Sequence, residues 1–266
     1  MKKIFLTSIM LLACLLPASA EWKADEARIA QLFEALYAAG TDSARTAANQ
    51  VLRSQLASVL QQDSAFEYPF ANIRQMGKVM SDDACLRIIS WNYRQDNGTY
   101  GYEAFILRKH KGKVIVNNLS SREGFKPKDN VVYGAKNWYG SLYYNIFAIK
   151  GNYYLLGYST YNDITKIKVI EVLSWNGNEL QLGAPLFADG KKNRMRKVFE
   201  YSAKAQMSIQ YDAENNRFVF DHLSPSEPAL KGLYQFYGPD FSYEALTLKK
   251  KRWTLEDDVD VKNPMP

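Results

Sequence analysis

Apolar and polar positions change rhythm twice along this chain. The first stretch, Ile4 to Leu16, is a run of thirteen apolar-leaning residues with Lys2 and Lys3 before it and Ala18-Ser19-Ala20 after it. A basic start, an apolar core and a small-x-small site predict an export leader over residues 1–20, cleaved ahead of Glu21. The run is too short for a permanent bilayer span, which needs about 20 residues. Helical spacing follows. Ile29, Leu32, Phe33, Leu36 and Tyr37 fall on one face, and Ala48, Leu52, Leu56, Val59 and Leu60 on another, so residues 23–62 read as a helical hairpin. Gly40 is the expected stop of the first helix, with Asp42 or Ser43 capping the second. Pro69 and Gly77 break the pattern, which bounds a helical region at 21–76.

From Leu86 onward the rhythm is β. Gln206 to Tyr211 alternates cleanly, while Glu103–Leu107, Leu142–Ile149 and Thr165–Leu173 are apolar on both faces, as strands covered on two sides are. Asn97-Gly98, Lys111-Gly112, Lys150-Gly151, Asn176-Gly177 and Glu214-Asn215-Asn216 punctuate them as hairpin turns. About ten strands without intervening helical pattern exclude a parallel βαβ sheet. The expected fold class is therefore mainly β: antiparallel hairpins and meanders over residues 77–266, sandwich-like, with the N-terminal helical hairpin packed on an edge or face. A propeller-like arrangement is the alternative, because Ser90-Trp91-Asn92 returns as Ser174-Trp175-Asn176, although blades of about 40 to 45 residues do not divide the chain evenly. Residues 119–137 read as a long connection, and 185–197, with Lys191, Lys192, Arg194, Arg196 and Lys197, as a solvated basic loop.

Composition narrows the function classes. Removing the leader leaves 246 of 266 residues, and of the formal charge of +6 Lys2 and Lys3 account for two, leaving +4. Such a modest excess without a clustering motif argues against nucleic-acid binding. Of two cysteines, Cys14 leaves with the leader and only Cys85 remains, so no intramolecular disulfide forms and apolar burial must hold the fold. Cys85, at the head of an apolar run, is expected to be a buried, inert thiol. A second interpretation of the leader stays open: Leu11-Leu12-Ala13-Cys14 resembles a lipobox, which would anchor the chain through a lipid on Cys14. The apolar core running on through Leu15 and Leu16 favours ordinary cleavage instead.

Catalytic motifs do not emerge. The chain has no G-x-S-x-G elbow, no phosphate-cradling glycine loop, and no H-x-x-x-H or C-x-x-C spacing, so no cofactor, metal or nucleophile is assigned. His110 sits in a charged turn. His222 follows Asp221 on a strand, where neighbours point to opposite faces and cannot act as base and orienter. Carboxylate chemistry stays open in principle, because glycoside hydrolysis needs only two acids across a cleft, and Glu103, Glu171, Asp221 and Glu244 all fall on expected strands. Glu256-Asp257-Asp258-Val259-Asp260 lacks the glycine and oxygen donors of a calcium loop and reads as an exposed acidic tail.

Aromatic residues are the compositional outlier, with 18 Tyr, 13 Phe and 5 Trp. Trp91 and Tyr93 share a strand face, and Trp138, Tyr139, Tyr143, Tyr144, Tyr153 and Tyr154 follow. Exposed rings could stack on sugar faces, so Trp91, Tyr93, Trp138 and Tyr139 are the candidate ligand-binding residues. Cross-strand pairing in a β core is the competing use of the same rings.

Ser81-Asp82-Asp83 leading into LRIISWN, together with YQFYGPDFSYEALTL (Tyr234–Leu248), resembles uncharacterised exported β-rich proteins of Bacteroidota. The resemblance implies a bacterial periplasm or cell surface and carries over no activity or site. Together these observations favour an exported, non-enzymatic binding or envelope-associated protein, with a glycan or envelope protein as partner and no transmembrane helix in the mature chain. A carboxylate-dependent glycan hydrolase and a structural or assembly partner are the alternatives.

Overall fold

The structure, a computed structural model, describes residues 18–260. The basic start of the leader, its apolar core and Cys14 lie outside the described residues. Helix α1 (Ala18–Ala38) and helix α2 (Asp42–Val59) form a hairpin. One stripe of α1 buries Trp22, Ile29, Phe33 and Leu36 against Leu52, Leu56 and Val59 of α2. Trp22 stacks on Tyr68 with ring centroids 4.7 Å apart and meets Phe70 edge-on, which pins the start of the hairpin. The cap of α2 lies one residue earlier than expected. Thr41, in extended conformation, accepts the Ala44 N–H on Oγ1, which leaves Asp42 in the first turn to pair with Arg45 at 2.8 Å.

Mainly antiparallel β structure follows, in three sheets. The first is a meander of β1 (Gly77–Met80), β2 (Leu86–Arg94), β3 (Tyr100–His110) and β4 (Lys113–Ser121). After a long irregular connection come β5 (Leu142–Ile149), β6 (Asn152–Thr160), β7 (Thr165–Asn176) and β8 (Glu179–Leu182). A short hairpin of β9 (Phe187–Asp189) and β10 (Lys192–Arg194) leaves for the third sheet, and β11 (Arg196–Ser202) returns to the second. The second sheet then has the order β11-β7-β6-β5, with β8 pairing the far end of β7. The third takes β12 (Ile209–Asp212), β13 (Arg217–Pro225), β14 (Tyr237–Lys249) and β15 (Arg252–Glu256) in the order β10-β9-β15-β14-β13-β12. Strands of three or four residues, such as β8, β9 and β10, are too short to show a period of two, which is why the pattern suggests fewer strands.

The hairpin and the sheets stack as layers. On β3, Phe105 and Leu107 face the helices while Tyr102, Ala104 and Ile106 face the second sheet. On β7, Ile167, Val169 and Leu173 look back at the first sheet, and Ile170 and Val172 look toward the third. This is the physical origin of the doubly apolar runs: an antiparallel sheet covered on both sides loses its polar face. The outcome is a sandwich-like stack of unequal sheets, and none closes into a barrel. The Gly turns sit where the pattern placed them; Lys111-Gly112 and Lys150-Gly151 carry φ of +50° and +75°, and +48° and +81°, the left-handed pair that matches strand twist.

Candidate functional site

The four rings singled out from the sequence are placed inside the molecule. Trp91 and Tyr93 lie between the helices and the first sheet, and Trp138 and Tyr139 between the first and second sheets, each no more than 5% exposed. They are therefore not one surface platform but parts of two separate cores. Trp91 donates its Nε1 proton to Asn49 Oδ1 at 2.9 Å and meets Phe33 edge-on. Tyr93 lies across Gly101, where a Cβ would come within 2.4 Å of the ring, so any other residue there would have to displace it. Packing selected these rings because a large flat side chain fills interlayer space while its polar atom finds a partner.

The four expected carboxylates are likewise separated. Glu103 faces the helices, accepting from Asn49 Nδ2 at 2.8 Å and Ser120 at 2.9 Å, with the Arg53 guanidinium 3.0 Å away. Burial pushes its carboxyl up, against the opposing pull of Arg53 and its donors. Glu171 faces the other side of the first sheet and is fully buried. It pairs with Arg196 at 3.0 Å and accepts from the hydroxyls of Tyr139 and Tyr143 at 2.5 and 2.9 Å. The first sheet separates the two acids. In the third sheet Asp221 opposes Tyr243 and Glu244 opposes Phe220, so these two project to opposite faces. No two of the four acids flank one cleft.

Arg196 corrects the expectation of a solvated basic loop over 185–197. It opens β11 directly across from Glu171 and is 1% exposed. Its guanidinium also donates to the carbonyls of Lys128, Val131 and Leu182, tying the long connection to the second sheet. Gly183, at φ +104°, makes room, since a Cβ there would stand 2.8 Å from Arg196 Nη2. Cys85 is half-buried rather than buried. His110 is exposed in its turn, and His222 pairs through Nδ1 with Asp240 of β14 at 2.7 Å, a cross-strand partner that adjacency in sequence could not show.

The surface feature with the strongest chemical character lies where the space between the second and third sheets opens to solvent. It is a groove of about 460 Å³ lined by Leu142, Tyr144, Tyr158, Lys166, Lys168, Tyr201 and the segment Ala205-Gln206-Met207. Register explains the grouping. Tyr158 sits opposite Lys168, and Tyr201 opposite Lys166, so side chains of β6, β7 and β11 form the floor. Ordinary strand alternation sends Tyr143 into the core and Tyr144 out over the groove, 38% exposed, and the register irregularity of β5 follows between Tyr143 and Asn145. The Lys168 ammonium stands 5.1 Å from the Tyr144 ring centre and donates to the Met207 carbonyl, while Lys166 reaches Ala205 O at 3.5 Å. Burial pulls the Lys168 amine below the ordinary lysine range and pushes the Tyr201 and Tyr144 phenols up.

Of these residues only Tyr144 stood in the aromatic series read from the sequence. Lys166 and Lys168 did leave a signal: two lysines alternating with Ile167 and Val169 at the start of a strand otherwise apolar on both faces. Among the described residues no helix is long and apolar enough to cross a membrane, and no group of three His, Cys, Asp or Glu side chains is placed to hold a metal ion. No protein family, curated protein or solved structure matches the chain.

Proposed function

We propose that the chain is an exported binding protein, not a catalyst, and that it holds its ligand in the groove over β5, β6, β7 and β11. The export leader supports the compartment, and the groove supports the function. The observation that carries the proposal is the union of Tyr144 and Tyr158 with two lysines in one solvent-open trough, walled below by the buried Tyr201. Aromatic rings supply area at low entropic cost, and a preformed concavity lined by them is where ligands bind. Hydrogen–deuterium exchange on the mature protein, with and without size-fractionated cell-envelope glycans, tests it. Slowed exchange in β5 and residues 201–207, abolished by Tyr144→Ala with Tyr201→Phe as control and without new reducing ends, is expected. Protection confined to other strands, or release of reducing ends, would overturn it.

Envelope assembly is the second reading, and one observation favours it. Leu233, Tyr234, Phe236 and Phe241 are all exposed within nine residues, and Phe241 is 96% exposed at φ +70°, a backbone region that bulky side chains avoid. Under that reading Phe241→Ser releases the protein from envelope fractions; unchanged fractionation rejects it.

A further inference from the structure

Two cations reach the groove, and no acidic residue appears in its lining. Some half-buried cations of this chain meet carboxylates, as Arg194 meets Asp129 and Asp189 and Arg217 meets Asp212. Others, such as Lys78, are held by backbone carbonyls beneath the helices; Lys168 is held in the same way but lines a solvent-open groove. Asp221 acts on Lys168 from a distance, and that carboxylate is occupied by the Ser208 N–H at 2.7 Å. Backbone carbonyls take one donor from each ammonium, and each has three to give. Lys166 and Lys168 lie two residues apart on one strand face, about 7 Å along the chain, so the positive charges form a short row beside the rings.

We infer that the groove recognises an acidic saccharide chain, whose carboxylates meet Lys166 and Lys168 while its sugar faces stack on Tyr144 and Tyr158. The inference rests on the groove being the binding site and adds the ligand class. Charge complementarity supplies the anion: a partly desolvated ammonium lacking a carboxylate partner gains most when a ligand brings one. Lysine presents a point charge without the planar fork of arginine, which suits carboxylates arriving at varied angles along a polymer. The floor favours sugar over peptide. Both lysines and Tyr158 sit on β7 and β6, interior strands whose main-chain groups already pair on both sides, so they meet a ligand through side chains alone, with the edge strands β5 and β11 flanking them. A peptide bound by strand addition would align along such an edge and not across the lysine row. A chain of rings with carboxyl groups needs only flat faces and cations.

The test uses the mature protein and three probes: hexagalacturonate, a neutral galacto-oligosaccharide of equal length, and a hexaglutamate peptide, each titrated calorimetrically at low and moderate salt. Hexagalacturonate should bind and weaken with added salt. Replacing Lys166 by Gln should cost about tenfold in affinity, the loss of one charge-assisted contact. Lys168→Gln should cost a similar factor, and Lys168→Arg should recover most of it while circular dichroism stays unchanged. Because Lys168 also holds the Met207 carbonyl, Lys166→Gln is the variant that stays informative if Lys168→Gln unfolds. Equal binding of the neutral oligosaccharide, unaffected by the lysine changes but lost in Tyr144→Ala, would overturn the acidic class and leave the groove standing. Preference for hexaglutamate would make the ligand an acidic peptide. Absence of binding by all three probes would overturn the inference.

Discussion

The molecule contains two interlayer spaces that treat charge in opposite ways. Between the first and second sheets, Glu171 and Arg196 are both fully buried, and each is held by several hydrogen bonds to the protein. Between the second and third sheets, the space opens at one end, and Lys166 and Lys168 stand half-buried among tyrosines with backbone carbonyls as their protein contacts. The first arrangement is finished: all three Arg196 nitrogens and both Glu171 oxygens have partners within the fold. The second has donors to spare at a solvent-open surface. A buried charge signals function only when its bonding is incomplete and something from outside can reach it.

The largest effect that would break this comparison comes from Arg196→Met. It strands Glu171 and frees the carbonyls of Val131 and Leu182, so urea unfolding should show a loss of about 3–5 kcal/mol. A loss below about 1 kcal/mol would mean that water enters this core and that the two spaces are alike. Asn49→Ala comes next. Asn49 bridges Trp91 and Glu103 beneath the helices, and its removal leaves an indole N–H and a carboxylate short of a partner, costing about 2–3 kcal/mol in the same assay.

Lys168→Gln should behave differently. It removes a charge that burial disfavours along with one carbonyl contact, so stability should stay within about 1 kcal/mol of the parent while ligand affinity falls. A loss as large as that of Arg196→Met would assign Lys168 to the fold.

The smallest effect concerns a charged network on the surface. Partial burial pushes the Asp240 carboxyl up, but hydrogen bonds from the Ser242 hydroxyl and His222 outweigh it and hold it at about 2. Its folded value lies below the ordinary 3.8, so the stabilisation is present above that value and is lost as pH falls toward 2. Acid titration of stability should show a shallow extra loss across that window, absent in Asp240→Asn, and small because the pair is a third exposed. A steep loss there would show that this network is as structural as the buried one.

Much of the fold was legible in the chain itself. Helical spacing in residues 23–62 and doubly apolar runs such as Thr165–Leu173 reflect local geometry, because a stripe or a covered face must be written into successive residues. Paired turn residues such as Lys150-Gly151 are equally local, since only certain residues accept positive φ. The groove was not legible in this way. Tyr143 and Tyr144 are neighbours of the same type on opposite faces of β5, and only the layers stacked on either side put the first against Glu171 and the second beside Lys168.

Arg196 shows the same limit from the other side. By composition it belongs to a basic stretch, and only the pairing of β11 with β7 sets it against Glu171. Residue type and spacing determined which long segments are strands, which of their faces are apolar and where the hairpins turn. Tertiary structure alone decided which rings are walls and which line a surface, and which charges are neutralised. Those outcomes depend on partners far apart in sequence, brought together by sheet order and strand register.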